Sequence, residues 1–223
     1  MCKYAVVDLE MCKVPFNKRT NKAVCAREVI QIGAVLLNEA LEIVDKFSTY
    51  VAPQLGWIDD EINRLTGIRN EDVINAPMFA EAFASFLSWL PVDTKLVSWS
   101  NNDELQIRKE LAYKEIELVG IEDMLDGWID CQKTFGKKIN SERCFRLSEA
   151  LVAANIIYED GAHDGLVDAY NTALLFAKME RETELILNPY YRNVLLGSEE
   201  EERCCSTLGS LFAGIDMSAL ALA

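Results

Sequence analysis

Tyr-Ala-Val-Val-Asp-Leu-Glu, at residues 4–10, is an apolar run that carries two carboxylates, and this pattern predicts a buried β-strand. Side chains two positions apart on a strand point to the same face, so Asp8 and Glu10 should project together. Two carboxylates on one face of a buried strand repel each other and lose hydration, which is unfavourable unless a cation lies between them. The stretch therefore predicts either a divalent metal site on a buried strand or a strand end that faces solvent.

Further strands are predicted along the chain, and they divide into two groups. The first three runs are β-branched or alternate between apolar and polar residues, and their short or polar connections predict an antiparallel meander. The later strands are separated by helical patterns, which predicts parallel crossovers. The predicted strands are residues 3–8, 29–37, 42–51, 95–99 and 116–119. The predicted fold class is therefore α/β, with a mixed five-stranded sheet flanked by helices.

Amphipathic and capped segments predict the helices around this sheet. These helices begin near Asp59, Asn70, Met78, Asn101, Leu147 and Asp164. After residue 184 the sequence changes to an acidic run followed by an apolar end. We therefore expect a domain at residues 1–185 and an appendage at residues 186–223 that serves packing or self-association rather than chemistry.

The composition predicts a cytoplasmic protein with no membrane partner. The 223 residues are 50% hydrophobic, which is enough for a sizeable core. Seven cysteines show neither a Cys-x-x-Cys pair nor zinc-finger spacing, which favours reduced thiols in the cytosol. Met1 leads directly into the first strand and leaves no room for a signal peptide. The apolar segment at residues 208–223 is interrupted and too short to span a bilayer.

The formal net charge of −14 argues against a nucleic-acid ligand, because phosphate contacts usually come from clustered Lys and Arg. Two segments are nevertheless rich in Lys and Arg. Residues 11–27 contain five cations and no acid, directly after the strand that carries the two carboxylates. The second segment comprises Lys133, Lys137, Lys138, Arg143 and Arg146, diluted by Glu142. The alternative for each segment is a solvated loop.

Three more side chains join the two carboxylates as catalytic candidates. His163 is the only histidine, and histidine exchanges a proton near neutral pH, so His163 is the candidate general base. Asp168 follows in an apolar helix, where an unpaired carboxylate would be unfavourable. Asp103 follows the fourth strand, where open sheets present their catalytic groups, although an acid at a helix N-terminus is also an ordinary feature. The combined order of all five is more specific than any one of them.

The order Asp-x-Glu, Asp, His-x4-Asp resembles the three motifs of the DEDDh group of 3′→5′ exonucleases in the RNase H-like superfamily. The similarity extends to residues 44–53, to Leu-Thr-Gly-Ile at residues 65–68, to residues 72–77 and to residues 147–151. These segments resemble the RNA-trimming exoribonucleases related to the "enhanced RNAi" exonucleases. The resemblance covers residues 3–180, and the acidic appendage and net charge depart from the family pattern.

The resemblance implies an RNase H-like fold and a two-metal phosphodiester hydrolase. It implies that two Mg²⁺ or Mn²⁺ ions are held by Asp8, Glu10, Asp103 and Asp168, with His163 as the general base. The implied substrate is the 3′ end of single-stranded RNA or DNA, with RNA preferred, and the product is a nucleoside 5′-monophosphate. Contacts to the terminal nucleotide are expected from Met11, Leu65 and Thr66, and contacts to backbone phosphates from Lys13, Lys18 and Arg19.

Two other functions remain open from the sequence. A catalytically silent member of the fold would bind nucleic acid or protein without cutting, although all five positions keep the residue types that cleavage needs. An RNase H-like endonuclease would use similar carboxylates, but the His-x4-Asp pair and the 3′-end pocket residues favour exonucleolytic cleavage. A zinc site made of Cys204, Cys205 and His163 is excluded by its spacing and would consume the base.

Overall fold

The computed structural model describes residues 2–15, 26–158 and 163–196. The strands are β1 (Cys2–Lys13), β2 (Arg27–Asn38), β3 (Ile43–Tyr50), β4 (Lys95–Ser98) and β5 (Ile129–Asp130). They form one sheet in the order β3-β2-β1-β4-β5. Antiparallel pairing joins β1, β2 and β3, and parallel pairing joins β1, β4 and β5. The predicted meander and the predicted parallel half are both confirmed.

The helices surround this sheet. They are α1 (Asp60–Thr66), α2 (Asn70–Val73), α3 (Phe79–Trp89), α4 (Asn102–Tyr113), α5 (Ile121–Asp126), α6 (Cys131–Lys138), α7 (Leu147–Ala153), α8 (Gly165–Arg181) and α9 (Pro189–Leu196). The sequence patterns predict α1 to α4, α7 and α8 but give no signal for α5, α6 and α9. All three are short, with six to eight residues each.

The prediction of a fifth strand at residues 116–119 is wrong. The segment is an irregular connection in which Val119 is fully exposed. Positive φ angles at Glu115 (52°) and Gly120 (77°) turn the backbone on either side of it. The fifth strand is β5, which lies beyond α5 and contains two residues. A strand of that length leaves no alternating pattern in the sequence.

Alternation along β1 assigns its two faces to different neighbours. One face contributes to the main apolar core with Ala5, Val7 and Leu9, against the α3 phenylalanines Phe79, Phe83 and Phe86. Tyr4 points the other way and packs its ring 4.9 Å from that of Phe176 in α8. Asp8 and Glu10 share the parity of Tyr4, so β1 presents both carboxylates on the side that α8 covers.

The N-terminus of α8 touches the sheet where Asp8 and Gly33 are paired. A Cβ atom on Gly33 would lie 2.1 Å from the backbone carbon of Gly165, so only glycine permits this approach. A Cβ atom on Gly165 would lie 3.0 Å from the carbonyl oxygen of Asp8. The Gly165 N–H also donates to Oε1 of Gln31 at 3.0 Å. These contacts fix the start of α8 against the carboxylate-bearing strand.

A buried charged cluster joins β2 to α4. Lys114 Nζ lies 3.3 Å from Glu28 Oε1 and 2.7 Å from Glu110 Oε2. Glu28 also accepts N–H donations from Gln54, Leu55 and Gly56 at 2.7–3.1 Å. Burial alone would raise the pKa of Glu28, but these donors and the Lys114 charge outweigh it and hold that pKa below its usual range. The cluster thus carries its own cation, and its hydrogen bonds anchor the chain between β3 and α1.

The chain divides after residue 186. The first unit contains the sheet and α1 to α8, and in the second unit the structure describes α9. The expected boundary between a domain at residues 1–185 and an appendage at residues 186–223 stays a prediction, as does self-association through the appendage. Within the described ranges, no helix has the length and apolar character needed to cross a membrane.

Candidate active site

Asp8 and Glu10 are brought to the site by the last part of β1. Glu10 is buried and Asp8 is half-buried. The strand order places β1 at the centre of the sheet, where β4 runs parallel to it on one side. The carboxyl ends of parallel neighbours lie at the same edge of a sheet. The chain that leaves β4 therefore passes the two carboxylates.

Asp103 enters the site from the first turn of α4, shortly after the end of β4 in Ser98. Its side chain is buried, and its Oδ1 accepts the N–H of Leu9 at 3.1 Å, between the two acidic positions of β1. The nearby Ser98 opposes the rise in the pKa of Asp103, and the indole N–H of Trp128 donates to Ser98 Oγ at 2.9 Å. Asp103 is therefore held against β1 and is more than a helix-terminal acid.

His163 and Asp168 come from the start of α8. His163 Nδ1 lies 3.7 Å from Asp168 Oδ2, and the imidazole side chain is 59% exposed. Asp164 caps the helix by accepting the N–H groups of Leu166 at 2.8 Å and Val167 at 3.3 Å. The helix places the carboxylate of Asp168 one turn beyond this cap, beside a histidine that water can reach.

The carboxylates raise one another's proton affinity. Burial raises the pKa of Asp8 well above its usual range, and the charges of Asp103, Glu10 and Asp168 add to the shift. Burial and the charge of Asp168 raise the pKa of Glu10 to about 8. Burial also raises the pKa of Asp103, against the opposing hydrogen bond from Leu9. The group cannot be fully ionised near neutral pH unless positive charge is supplied from outside.

The donor atoms fit a divalent cation. Single ligand atoms of Glu10, His163 and Asp168 lie within 4.8 Å of one another. Burial raises the pKa of Asp168 and the nearby His163 opposes that shift, so this carboxylate also responds to positive charge. Carboxylate oxygens are the ligands that Mg²⁺ and Mn²⁺ prefer in proteins. A bound cation would remove the repulsion that the pKa shifts record.

The roles of the expected substrate residues stay predictions. Met11 follows Glu10 directly and is half-buried, while Leu65, at the end of α1, is 44% exposed. The hydroxyl of Thr66 donates to Ile62 and accepts from Ile68, so it closes the end of α1. Lys13 is exposed and forms an ion pair with Glu61 of α1, which links the end of β1 to that helix. Lys18 and Arg19 lie outside the described residues.

Three further residues shape the site without a sequence signal for that role. Gln31 of β2 receives the N–H of Gly165, Ser98 supports Asp103, and Asp164 adds a negative charge that raises the pKa of Glu10. The sequence identifies Asp164 only as the start of a helix. The roles of Gln31 and Ser98 depend on contacts with residues far away in the chain, which no local pattern contains.

The mixed sheet and the acids delivered to one edge by β1, α4 and α8 define an exonuclease domain of the RNase H-like class. The chain belongs to the exonuclease family RNase_T, whose family model matches residues 6–176. The matched segment contains all five of the Asp, Glu and His positions described above.

The chain is also similar in sequence to known exonucleases. Mouse ERI1 exoribonuclease 2 is 28% identical over 212 residues, a match that covers 82% of this chain and 30% of the mouse protein. The human ERI1 exoribonuclease 2 is 30% identical over 186 residues, covering 70% of this chain and 26% of the human protein. The Drosophila melanogaster 3′-5′ exonuclease Snipper is 25% identical over 190 residues, covering 73% and 66%. The chain therefore spans less than a third of the ERI1 relatives that it matches.

Solved structures share the fold. The nuclease domain of 3′hExo, a DEDDh family member bound to rAMP, superposes with a TM-score of 0.66 at 23% identity and covers 83% of this chain and 95% of that domain. The cell-death related nuclease 4, CRN-4, gives a TM-score of 0.68 at 19% identity, covering 83% and 66%. The predicted RNase H-like fold and the predicted resemblance to DEDDh exonucleases are confirmed.

Proposed function

We propose that this chain is a divalent-metal-dependent 3′→5′ exonuclease that removes nucleoside 5′-monophosphates from the 3′ ends of single-stranded nucleic acid, preferentially RNA. The observation that carries the proposal is the meeting of Asp8, Glu10, Asp103 and Asp168 from three separate elements, with the single histidine 3.7 Å from the last of them. The preference for RNA is supported by the relatives that are named exoribonucleases.

The four carboxylates would hold the cations. Two Mg²⁺ or Mn²⁺ ions held there would lower the pKa of a bound water and would offset the negative charge that develops on the departing 3′ oxygen. Asp8 and Glu10 supply oxygen ligands from β1, and Asp103 is oriented for the same task by its hydrogen bond to Leu9. Asp168 adds a carboxylate from α8. The fixed backbone contact between Gly33 and Gly165 keeps this last ligand in register with the strand.

His163 is the proposed general base. It would take the proton of the attacking water at one ring nitrogen while Asp168 stabilises the imidazolium that forms. Its exposed position allows the proton to pass to solvent and leaves the ring able to adjust to the substrate. Met11, Leu65 and Thr66 are proposed to contact the terminal nucleotide, and Lys13, Lys18 and Arg19 to contact backbone phosphates.

The test is a product analysis. A single-stranded RNA labelled at its 5′ end is incubated with the protein and Mg²⁺, and the matched DNA strand is run in parallel. The proposal predicts a ladder shortened stepwise from the 3′ end, with free nucleoside 5′-monophosphate, and faster shortening of RNA. Internal cuts without such a ladder would identify an endonuclease, and intact strands with every divalent metal would identify a silent binding module. Either result overturns the proposal.

A further inference from the structure

A basic groove lies between α6 and the segment that follows it, outside the carboxylate cluster. The groove encloses about 330 Å³, which accommodates a nucleotide-sized group. Its lining includes the cations Lys133, Lys137 and Arg143 and one acid, Glu142. The chain has a net charge of −14, yet the lining of this groove contains three cations and one acid.

The cations of this groove are available to a ligand. Lys133 and Arg143 are exposed, and each has a single acidic neighbour, Asp130 at 3.1 Å and Glu149 at 2.8 Å. Exposed ion pairs of this kind contribute little free energy, so an incoming anion can share the cation at small cost. Lys137 is exposed and makes no ion pair with any residue in the described part of the chain.

The groove begins near the edge of the sheet that holds the candidate active site. It begins at α6, directly after β5, whose Asp130 pairs with Ser98 of β4. The N–H of Gln132, a lining residue, donates to the carbonyl oxygen of Trp99 at 2.7 Å. Four residues beyond Trp99 is Asp103. A strand whose 3′ end occupies the carboxylate cluster would follow the carboxyl ends of β4 and β5 to reach this groove.

We propose that the groove binds the sugar-phosphate backbone of the substrate strand, upstream of the nucleotide being removed. This inference rests on the proposed exonuclease function and adds to it the site that supplies affinity for a longer strand. Acids farther away than the Debye length of about 8 Å are screened at physiological salt. Nearby acids offset Lys133 and Arg143, so Lys137, which has no ion-pair partner among the described residues, is the cation most available to a phosphate. The groove thereby reconciles an acidic protein with a polyanionic ligand.

The test compares two double variants that remove the same charge. Lys133→Gln/Lys137→Gln alters the groove, and Lys3→Gln/Lys95→Gln alters two exposed lysines at the opposite end of the same sheet, where Tyr4 pairs with Lys95. Binding of a fluorescent single-stranded RNA is followed by anisotropy over a series of salt concentrations. Ca²⁺ is added to the binding buffer to occupy the carboxylate site, since it binds oxygen ligands as Mg²⁺ does. A dinucleotide, which cannot span both sites, is the short ligand.

The groove variant should bind the long strand with a salt slope shallower by about 1.4, or about 0.7 for each lost phosphate contact. Its affinity for the dinucleotide should match that of the wild type, and the control variant should keep the wild-type slope. A wild-type slope in the groove variant overturns the proposal, and so does an equal loss in the control variant.

Lysines in the last turn of a helix also stabilise its dipole, so folding needs a separate check. If the double variant melts below the wild type, the single variant Lys133→Gln leaves the last turn of α6 unchanged and should lose about 0.7 in slope. Binding is measured independently of cleavage. A wild-type chain that binds through the groove but never shortens RNA would overturn the exonuclease function alone, and an active chain with an unchanged slope would overturn the groove alone.

Discussion

Two acidic clusters lie on neighbouring strands of this sheet, and they differ in what balances their charge. Glu28 on β2 and Glu110 on α4 are both fully buried, and Lys114 lies between them, within 3.3 Å of each. Glu10 on β1 is nearly as buried, but the groups around it are other carboxylates. The structural cluster carries its own cation, whereas the candidate active site requires one from solution.

The opposite pKa shifts express the same difference. Backbone N–H groups and Lys114 hold the pKa of Glu28 below its usual range in spite of burial. Burial and neighbouring carboxylates raise the pKa of Glu10 to about 8. The burial of Glu10 among other carboxylates is therefore unfavourable in the metal-free chain, a pattern that is common at functional sites.

The largest effect is expected when a metal ligand of the site is neutralised. Asp8→Asn should lower the rate of monophosphate release by more than about 10⁴-fold, because loss of metal binding removes more than a general base contributes. Asp93→Asn makes the same chemical change at an exposed turn outside both clusters and should leave the rate unchanged. An Asp8→Asn variant that keeps more than about 0.01% of the wild-type rate would contradict this assignment.

Removal of the base should have a smaller effect that leaves the metal in place. His163→Ala should slow turnover by about 10²- to 10⁴-fold, the usual contribution of a general base. Manganese should still raise the melting temperature of this variant, because the carboxylates that bind the cation are intact. Turnover at the wild-type rate would show that another group accepts the proton.

One substitution placed in each cluster sharpens the comparison directly. Glu28→Gln should lower the free energy of unfolding by about 1–3 kcal/mol, because the amide offers fewer acceptor sites to the buried N–H groups of Gln54, Leu55 and Gly56, while Lys114 keeps Glu110 as its partner. Glu10→Gln in metal-free buffer should raise the melting temperature, by about 2–4 °C for each kcal/mol of relieved repulsion. Thermal unfolding in EDTA near neutral pH measures both. Changes of the same sign in the two variants would remove the distinction between the clusters.

The smallest effect is expected in the pH dependence of the metal-free protein. Folding raises the pKa of Glu10 from 4.5 to about 8. The protonated form of Glu10 therefore stabilises the folded state fully below pH 4.5, and this stabilisation is lost as the pH rises through about 8. Glu28 acts in the opposite direction, since its stabilising charge is lost as pH falls below its usual range. Unfolding in EDTA should therefore show greatest stability in mildly acidic buffer. Manganese or Glu10→Gln should flatten the alkaline decline, and an unchanged decline would exclude the site carboxylates as its cause.

The catalytic candidates that the sequence predicts lie in short local motifs or directly after a predicted strand. Asp8 with Glu10, and His163 with Asp168, are short motifs on single elements, so local periodicity places them correctly on β1 and at the start of α8. Asp103 follows from the rule that catalytic groups gather at strand carboxyl ends. The order of the family motif links these three segments, although they lie far apart along the chain.

The parts that local patterns miss depend on contacts between distant residues. The cation Lys114 lies on the turn that ends α4, and its pairing with Glu28 of β2 has no sequence signature. The close approach of Gly33 to Gly165, which sets the position of α8, is similarly invisible. The two residues of β5 are recognisable as a strand only through their pairing with β4.

We propose that the carboxylates of β1, α4 and α8 bind divalent cations from solution, because the folded chain places no Lys or Arg among them in the described residues. The direct measurement is an anomalous difference map from crystals soaked in Mn²⁺ and collected near the manganese absorption edge. We expect strong manganese peaks bounded by Asp8, Glu10, Asp103 and Asp168. We expect no such peak at Lys114, between Glu28 and Glu110. Manganese peaks located elsewhere, with the four site carboxylates turned apart, would contradict it.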